Sequence, residues 1–176
     1  MERRADQGDA VCEVHTFREG ALSLVGHDLL LDVTRFEVQV EGREVRARFD
    51  ASSLAVRCAV RDGVEDPRAL SLRDRAQIEE TARAEVLGAR AHPWITFRAT
   101  LPEGFAGRGA VQGELTLHGV TRPITVAVAP EGAGVRARAT VRQKEFGMKP
   151  YAALMGTLRV RPEVEVVVTL PWAQAG

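Results

Sequence analysis

At 176 residues the chain falls in the size range of one domain that sustains its core without metal or disulfide staples. Its 45% hydrophobic and 27% charged residues exclude the composition of a disordered chain, and a formal net charge of +0 excludes a global positive field that would draw it onto nucleic acid or an anionic membrane. No apolar run reaches transmembrane length or forms an export leader behind the charged N-terminus, so a cytoplasmic protein without a membrane span is expected.

Residues 1–10 read as an N-terminal extension, followed by a single domain over 11–172. Strands are predicted at residues 11–17, through the long run 21–40, and at Glu44–Asp50, where Val45, Ala47 and Phe49 alternate with Glu44, Arg46 and Arg48. Residues 52–67 carry no assigned element. Residues 72–87 have helical composition: Ser71 and Asp74 make a capping-box start, Ile78, Ala82 and Val86 recur at four-residue spacing, and Gly88 is the stop.

Period two then returns in Ile95, Phe97, Ala99 and Leu101, in Val111, Gly113, Leu115 and Leu117, and in Ile124, Val126 and Val128. It continues in Val135, Ala137, Ala139 and Val141 and in a last strand over 157–170, where Leu158, Val160, Pro162, Val164, Val166, Val168 and Leu170 share a face. The connections are short and rich in glycine, which makes neighbouring strands antiparallel. About eight strands result, each with one apolar and one arginine-rich face.

An all-β fold with one inserted helix follows. Long strands with short turns favour an eight-stranded antiparallel barrel over a sandwich. The small inward residues Ala47, Ala99, Gly113, Ala137 and Ala139 leave two readings open: a hollow interior, or small residues that reflect a coding bias toward alanine and arginine, Lys144 and Lys149 being the only lysines.

Candidate chemistry is sparse. His15, His27, His92 and His118 with Cys12 and Cys58 match no metal-ligand spacing, and the two cysteines are expected as thiols. Ser23, Ser52, Ser53 and Ser71 lack a nucleophile-elbow context, Cys12 and His15 lie on opposite faces of a strand, and Glu79 with Glu80 reads as a solvated helix face. His118 and Gly119 read as a turn. Met148, Tyr151, Leu154 and Met155 form an apolar loop, read either as a cap on the core or as an adaptable ligand mouth. Trp94 reads as a rim residue or a contact between two copies of the chain.

Two segments carry a resemblance: His92-Pro93-Trp94-Ile95-Thr96-Phe97, and the stretch from Val111 to Pro123 with Gly113, Leu115, Thr116, His118, Gly119, Val120 and Thr121. Together with Phe146-Gly147, preceded by Glu145, and an early His27, these residues resemble the YceI-like family of lipid- and polyisoprenoid-binding proteins over residues 17–170. The resemblance implies a lipocalin-like barrel with a helix at its side, a long apolar pocket for an isoprenoid or fatty-acyl chain, and no catalytic machinery. The chain departs from the family in lacking its usual export signal and in residues 52–67 and 147–156.

The reading that follows is a non-enzymatic carrier enclosing an apolar, lipid-like small molecule, with no catalytic residues, no metal and no cofactor beyond a bound lipid. The expected ligand contacts are Leu31, Phe36, Val38, Phe49, Ile95, Phe97, Leu115, Leu117, Ile124, Val126 and Phe146, with Leu154 and Met155 near the mouth. The rival is a barrel filled by its own side chains and acting as a structural or interaction module, with a hydrolase as the remaining alternative.

Overall fold

The computed structural model describes residues 2–21, 26–156 and 158–172, without the side chain of Leu154. Its strands are β1 Glu2–Asp6, β2 Val11–Thr16, β3 Arg18–Glu19, β4 Asp28–Val33, β5 Phe36–Glu41, β6 Glu44–Asp50, β7 Leu54–Arg61 and β8 Val64–Asp66. After helix α1 Leu72–Thr81 come β9 Trp94–Thr100, β10 Gly109–Leu117, β11 Val120–Glu131, β12 Gly134–Arg142, β13 Ala152–Ala153, β14 Leu158–Val160 and β15 Glu163–Leu170.

The main sheet runs in the order β1-β5-β6-β9-β10-β11-β12-β15-β2-β4-β7-β8. Its two ends contain halves of the same runs of chain. β1 and β2, β4 and β5, and β6 and β7 are each successive parts of one interrupted strand, and the first part pairs at one end of the order while the second pairs at the other. With those halves joined, the ladder is a closed ring of eight antiparallel strands, a lipocalin-like barrel.

The interruptions have local causes. Between β1 and β2 the chain makes a turn in which Ala10 N–H donates to Asp6 O at 2.8 Å and Gly8 N–H to Asp6 Oδ1 at 2.7 Å. Residues 2–6 therefore belong to the barrel and are not a free extension: Ala5 is buried and Arg4 pairs with Glu37 across the strands at 2.8 Å. Their polar sequence hides this, since Ala5 alone faces the core cluster.

The predicted run over 21–40 divides into β4 and β5 at Thr34-Arg35, while residues 22–25, Ser23 among them, lie outside the described residues. The unassigned stretch 52–67 contains β7 and β8. The predicted strand over 157–170 is cut into β14 and β15 at Arg161-Pro162, where proline has no N–H to offer a ladder; Thr157 lies outside the described residues.

Helix α1 starts where its capping box places it. Asp74 N–H donates to Ser71 Oγ at 3.1 Å and Ser71 N–H to Asp74 Oδ2 at 3.0 Å, and the Ser71 hydrogen bonds hold the Asp74 carboxyl below its ordinary range. The α-helix ends at Thr81, and the rest of the predicted helix is a wider turn, Ala82–Val86, with Leu87 N–H donating to Ala82 O at 2.9 Å. Gly88 follows with φ +56, as a helix stop requires.

The helix sits where one interval of the ring is paired over only part of its length. β8 reaches β7 only at residues 59–61, and β9 pairs with β6 only as far as Asp50, so the edge of β7 near Leu54 and Val56 meets no strand. Glu79 and Arg83 take that strand's place: Glu79 Oε1 accepts from Val56 N–H at 2.8 Å, Arg83 Nε donates to Leu54 O at 2.7 Å, and the two side chains meet at 3.5 Å. An edge that would otherwise leave backbone groups unpaired is thereby satisfied. Below it, Ile78, Ala82 and Leu87 pack on Leu31, Leu54 and Val56.

Replacing Glu79 by alanine is expected to strand the Val56 N–H and cost about 1–3 kcal/mol of stability, measured by urea denaturation. The Val56 amide should also lose hydrogen-exchange protection relative to the Ala137 amide on the far wall. Unchanged exchange at Val56 would show that the helix does not hold this edge.

Candidate functional site

Alternate side chains of all eight strands point into one cavity of about 700 Å³, within the roughly 300–1,000 Å³ usual for small-molecule sites. Its wall is apolar around the ring: Val14 from β2, Leu29, Leu31 and Val33 from β4, Val38 and Val40 from β5, and Val45, Ala47 and Phe49 from β6. Ile95 and Phe97, Val111, Leu115 and Leu117, then Ile124, Val126 and Val128 continue it, and Val164, Val166 and Val168 of β15 complete it. Ile78, Ala82, Val86 and Leu87 close the side left by the short strand.

Nine expected contact residues line this space: Leu31, Val38, Phe49, Ile95, Phe97, Leu115, Leu117, Ile124 and Val126. Phe36 and Phe146 are buried but do not. Phe36 stacks on Phe49 with ring centroids 5.8 Å apart and packs in the cluster of Ala5 and Val38, which takes up its surface. Phe146 ends a single 3-10 turn after β12, where strand parity has no meaning, and packs among Leu117, Val141 and Met148. Met155 is fully exposed and outside the cavity, and the Leu154 side chain lies outside what is described. The helix face, the β15 valines and Trp172 are cavity residues that were not among the expected contacts, although periodicity places the first two groups on the inner side.

The small residues divide by cause. Ala47, Ala137 and Ala139 face the cavity and keep it wide. Gly113 does not: a Cβ there would stand 2.4 Å from the Phe97 ring and 2.6 Å from Arg98 O, so the missing side chain is what lets Phe97 lie across β10.

The two ends of the cavity differ. Trp172, Leu101 and Phe105 lie at one end, with Arg3. Polar side chains gather at the other: Arg18, His27, Gln77, Thr81, Gln143, Tyr151 and Arg159. The arginines there already have carboxylate neighbours. Arg159 Nε donates to Glu19 at 2.7 Å, and Arg18 lies 4.0 Å from Asp28 and donates to Gly26 O. Gln143, 4% exposed, donates through Nε2 to Arg161 O at 3.1 Å.

The remaining candidate groups have structural occupations. His118 and Gly119 have φ of +53 and +74, the two-residue hairpin turn that joins β10 to β11. The His92 ring lies 4.6 Å from that of His118 and so close to Gly119 that a Cβ would meet it at 2.9 Å. Ser53 Oγ donates to Asp50 O at 2.8 Å, Ser52 Oγ bonds Asp50 Oδ1 at 2.6 Å, and Ser71 caps α1. Cys12 faces the cavity, whereas His15, one turn of the pleat further and of opposite parity, neighbours Glu13 at 3.9 Å. No cluster of three or more histidine, cysteine or acidic residues suited to a metal ion occurs among the described residues. Trp94 is half-exposed on the outside, under the Arg48 guanidinium at 3.4 Å.

Comparison with known proteins places this geometry. Residues 17–171 match the YceI-like domain family. Over 97 residues the chain is 33% identical to a UPF0312 protein of Pseudomonas putida (strain W619), an alignment that spans 49% of this chain and 50% of that relative. The crystal structure of BcnA from Burkholderia cenocepacia is similar at 17% identity with a TM-score of 0.60, covering 94% of this chain and 97% of that one. A polyisoprenoid binding domain from Saccharophagus degradans, implicated in plant cell wall breakdown, is similar at 11% identity with a TM-score of 0.61, covering 96% and 95%. At such identities the likeness to the solved structures is one of fold.

The Cys12 thiol provides a test of how dry this wall is. Burial first, and then the charges of Asp32 and Glu13, push it from 9.0 up to about 12. The native state thus keeps a proton that the unfolded chain releases, so the contribution to stability is present below about pH 9 and is lost as pH rises toward 12. Wild-type protein should lose about 1.4 kcal/mol per pH unit more than Cys12→Ala across that window, read from urea denaturation at successive pH values. Parallel pH profiles would mean that Cys12 contacts water.

Proposed function

The chain belongs to the YceI-like family, and from that premise we propose that it binds and sequesters an apolar, lipid-like molecule in the barrel without transforming it. The observation that carries the reading is the cavity itself, apolar around its whole circumference and polar at one end. A polyisoprenoid, an isoprenoid quinone or a fatty-acyl chain has that division of character.

Affinity in such a site comes from desolvation and dispersion, about 0.8 kcal/mol for each methylene fully buried. Ligand length therefore governs affinity more than the head group does. The tail would lie among Leu31, Val38, Phe97, Leu115, Ile124 and Val126, with its head toward Gln143 and Tyr151. The polyisoprenoid binding described for the Saccharophagus degradans domain supports the same class of ligand here.

Organic extraction of the purified protein, followed by mass spectrometry, is expected to release a long-chain apolar compound. Loading of delipidated protein with a detergent-solubilised polyprenol should shift the fluorescence of Trp172, a change retained in Trp94→Phe and absent from Trp172→Phe. In Ala137→Phe the added ring should occupy the cavity and abolish uptake while the fold persists; a filled core would instead lose about 1–3 kcal/mol to overpacking. Protein that yields no lipid and takes up neither a polyprenol nor a long-chain fatty acid would refute the proposal.

A further inference from the structure

The polar end of the cavity is bordered by a connection that is costly for a protein meant to meet only water. Between β12 and β14, Met155 is fully exposed in a left-handed backbone conformation, φ +58, and Tyr151 is 43% exposed. A flexible apolar side chain held out in a conformation that favours glycine has no partner among the described residues to account for it.

The same stretch is strongly basic within a chain of zero net charge. Residues 142–161 contain Arg142, Lys144, Lys149, Arg159 and Arg161, including both lysines of the protein, against the single carboxylate of Glu145. Arg142 is paired with Glu145 at 3.5 Å and Arg159 with Glu19 at 2.7 Å. Lys144, Lys149 and Arg161 are exposed and have no carboxylate within ion-pair distance among the described residues; Arg161 lies over the Phe17 ring at 5.9 Å. Tyr151, Leu158, Arg159 and Val160 of this stretch are also cavity wall, so the exposed apolar tip and the unpaired cations stand beside the polar end of the cavity.

Apolar side chains projecting among cations match the interface of an anionic bilayer, in which the side chains enter the acyl boundary and the cations meet the headgroups. We infer that this end of the barrel docks on a lipid surface bearing anionic headgroups, with Met155 inserted and Lys144, Lys149 and Arg161 against the headgroups. The cavity mouth then opens onto the bilayer, and a ligand passes between the two without crossing water. The inference rests on the lipid-binding reading for its purpose, while the docking is a separate property of the surface.

Flotation of the full chain with phosphatidylcholine vesicles, with and without phosphatidylglycerol, tests it. Binding is expected only with phosphatidylglycerol and is expected to fall in high salt, which screens exposed charges. Lys149→Glu should lower partitioning by about tenfold or more and Met155→Asp should abolish it. Neither residue lines the cavity, so both variants should take up a detergent-solubilised polyprenol as the wild type does. Failure of the wild type to float, binding indifferent to lipid charge and salt, or wild-type flotation by both variants would overturn docking, as would a dimer in solution that Met155→Asp dissociates. Uptake from detergent without flotation would overturn docking and leave the binding reading standing; flotation without uptake would do the reverse.

Discussion

Closure of the ladder is the constraint from which the rest of the structure follows. Three runs of chain, 2–16, 28–41 and 44–61, each pair with different neighbours along their two halves, and this double use turns a sheet that would have two long edges into a ring. Once the ring is closed, the pleat sends every second side chain inward, and the backbone hydrogen bonds prevent the wall from collapsing onto the space they enclose. A wall bearing alanine at Ala47, Ala137 and Ala139 then cannot meet in the middle, and its atoms lack the contacts that a filled core would give them. An apolar guest would supply those contacts, so the same bonds that stabilise the fold also hold open the space in which such a guest would gain them.

The outer face shows how the closure is secured. Arg57 reaches Glu13 at 2.6 Å and two oxygens of Asp32, joining three neighbouring strands, and Arg136 stands 3.9 Å from Glu13. Arg57 can do this because the register between β4 and β7 slips there: Leu31 faces Val56 and Leu30 faces Cys58, leaving Arg57 as the extra residue of a bulge. The bulge keeps Leu54 and Val56 in the core on one side of the slip and Cys58 buried on the other.

That bulge also explains where sequence reading fell short. Over most of the chain the alternation is unambiguous because arginine, glutamate or threonine separates the inward residues, as in Val45, Ala47 and Phe49, and the structure keeps that parity. In β7 the outward position Ala55 is itself apolar and the period breaks at Arg57, beyond which Cys58 and Ala59 are both buried, so a buried strand presents no clean alternation. β1 fails for the opposite reason, with one small apolar residue among four polar ones. At the site, period two identifies the wall but not which wall residues remain open to the cavity. Phe36 faces inward and is covered, whereas Gly113 gives up its place to Phe97, and both outcomes depend on neighbours across strands.

The helix lines the wall between β7 and β9 and is joined to the ring by side chains, not by a backbone ladder. A ninth strand beside β7 would have satisfied the same edge with repeated main-chain bonds and fixed that wall as firmly as the rest. Glu79 and Arg83 satisfy two backbone groups, and the other helix contacts with the barrel are apolar, made by the very residues that line the cavity, Ile78, Ala82 and Leu87. A molecule filling the cavity would therefore press directly on this helix. The interval between the run 44–61 and β9 changes midway from strand pairing to helix packing, and β11 and β12 pair only over residues 127–131 and 134–138. The polar side chains Gln77 and Thr81 face the cavity from that same helix, so the helix-packed interval of the wall contributes to the polar end of the cavity.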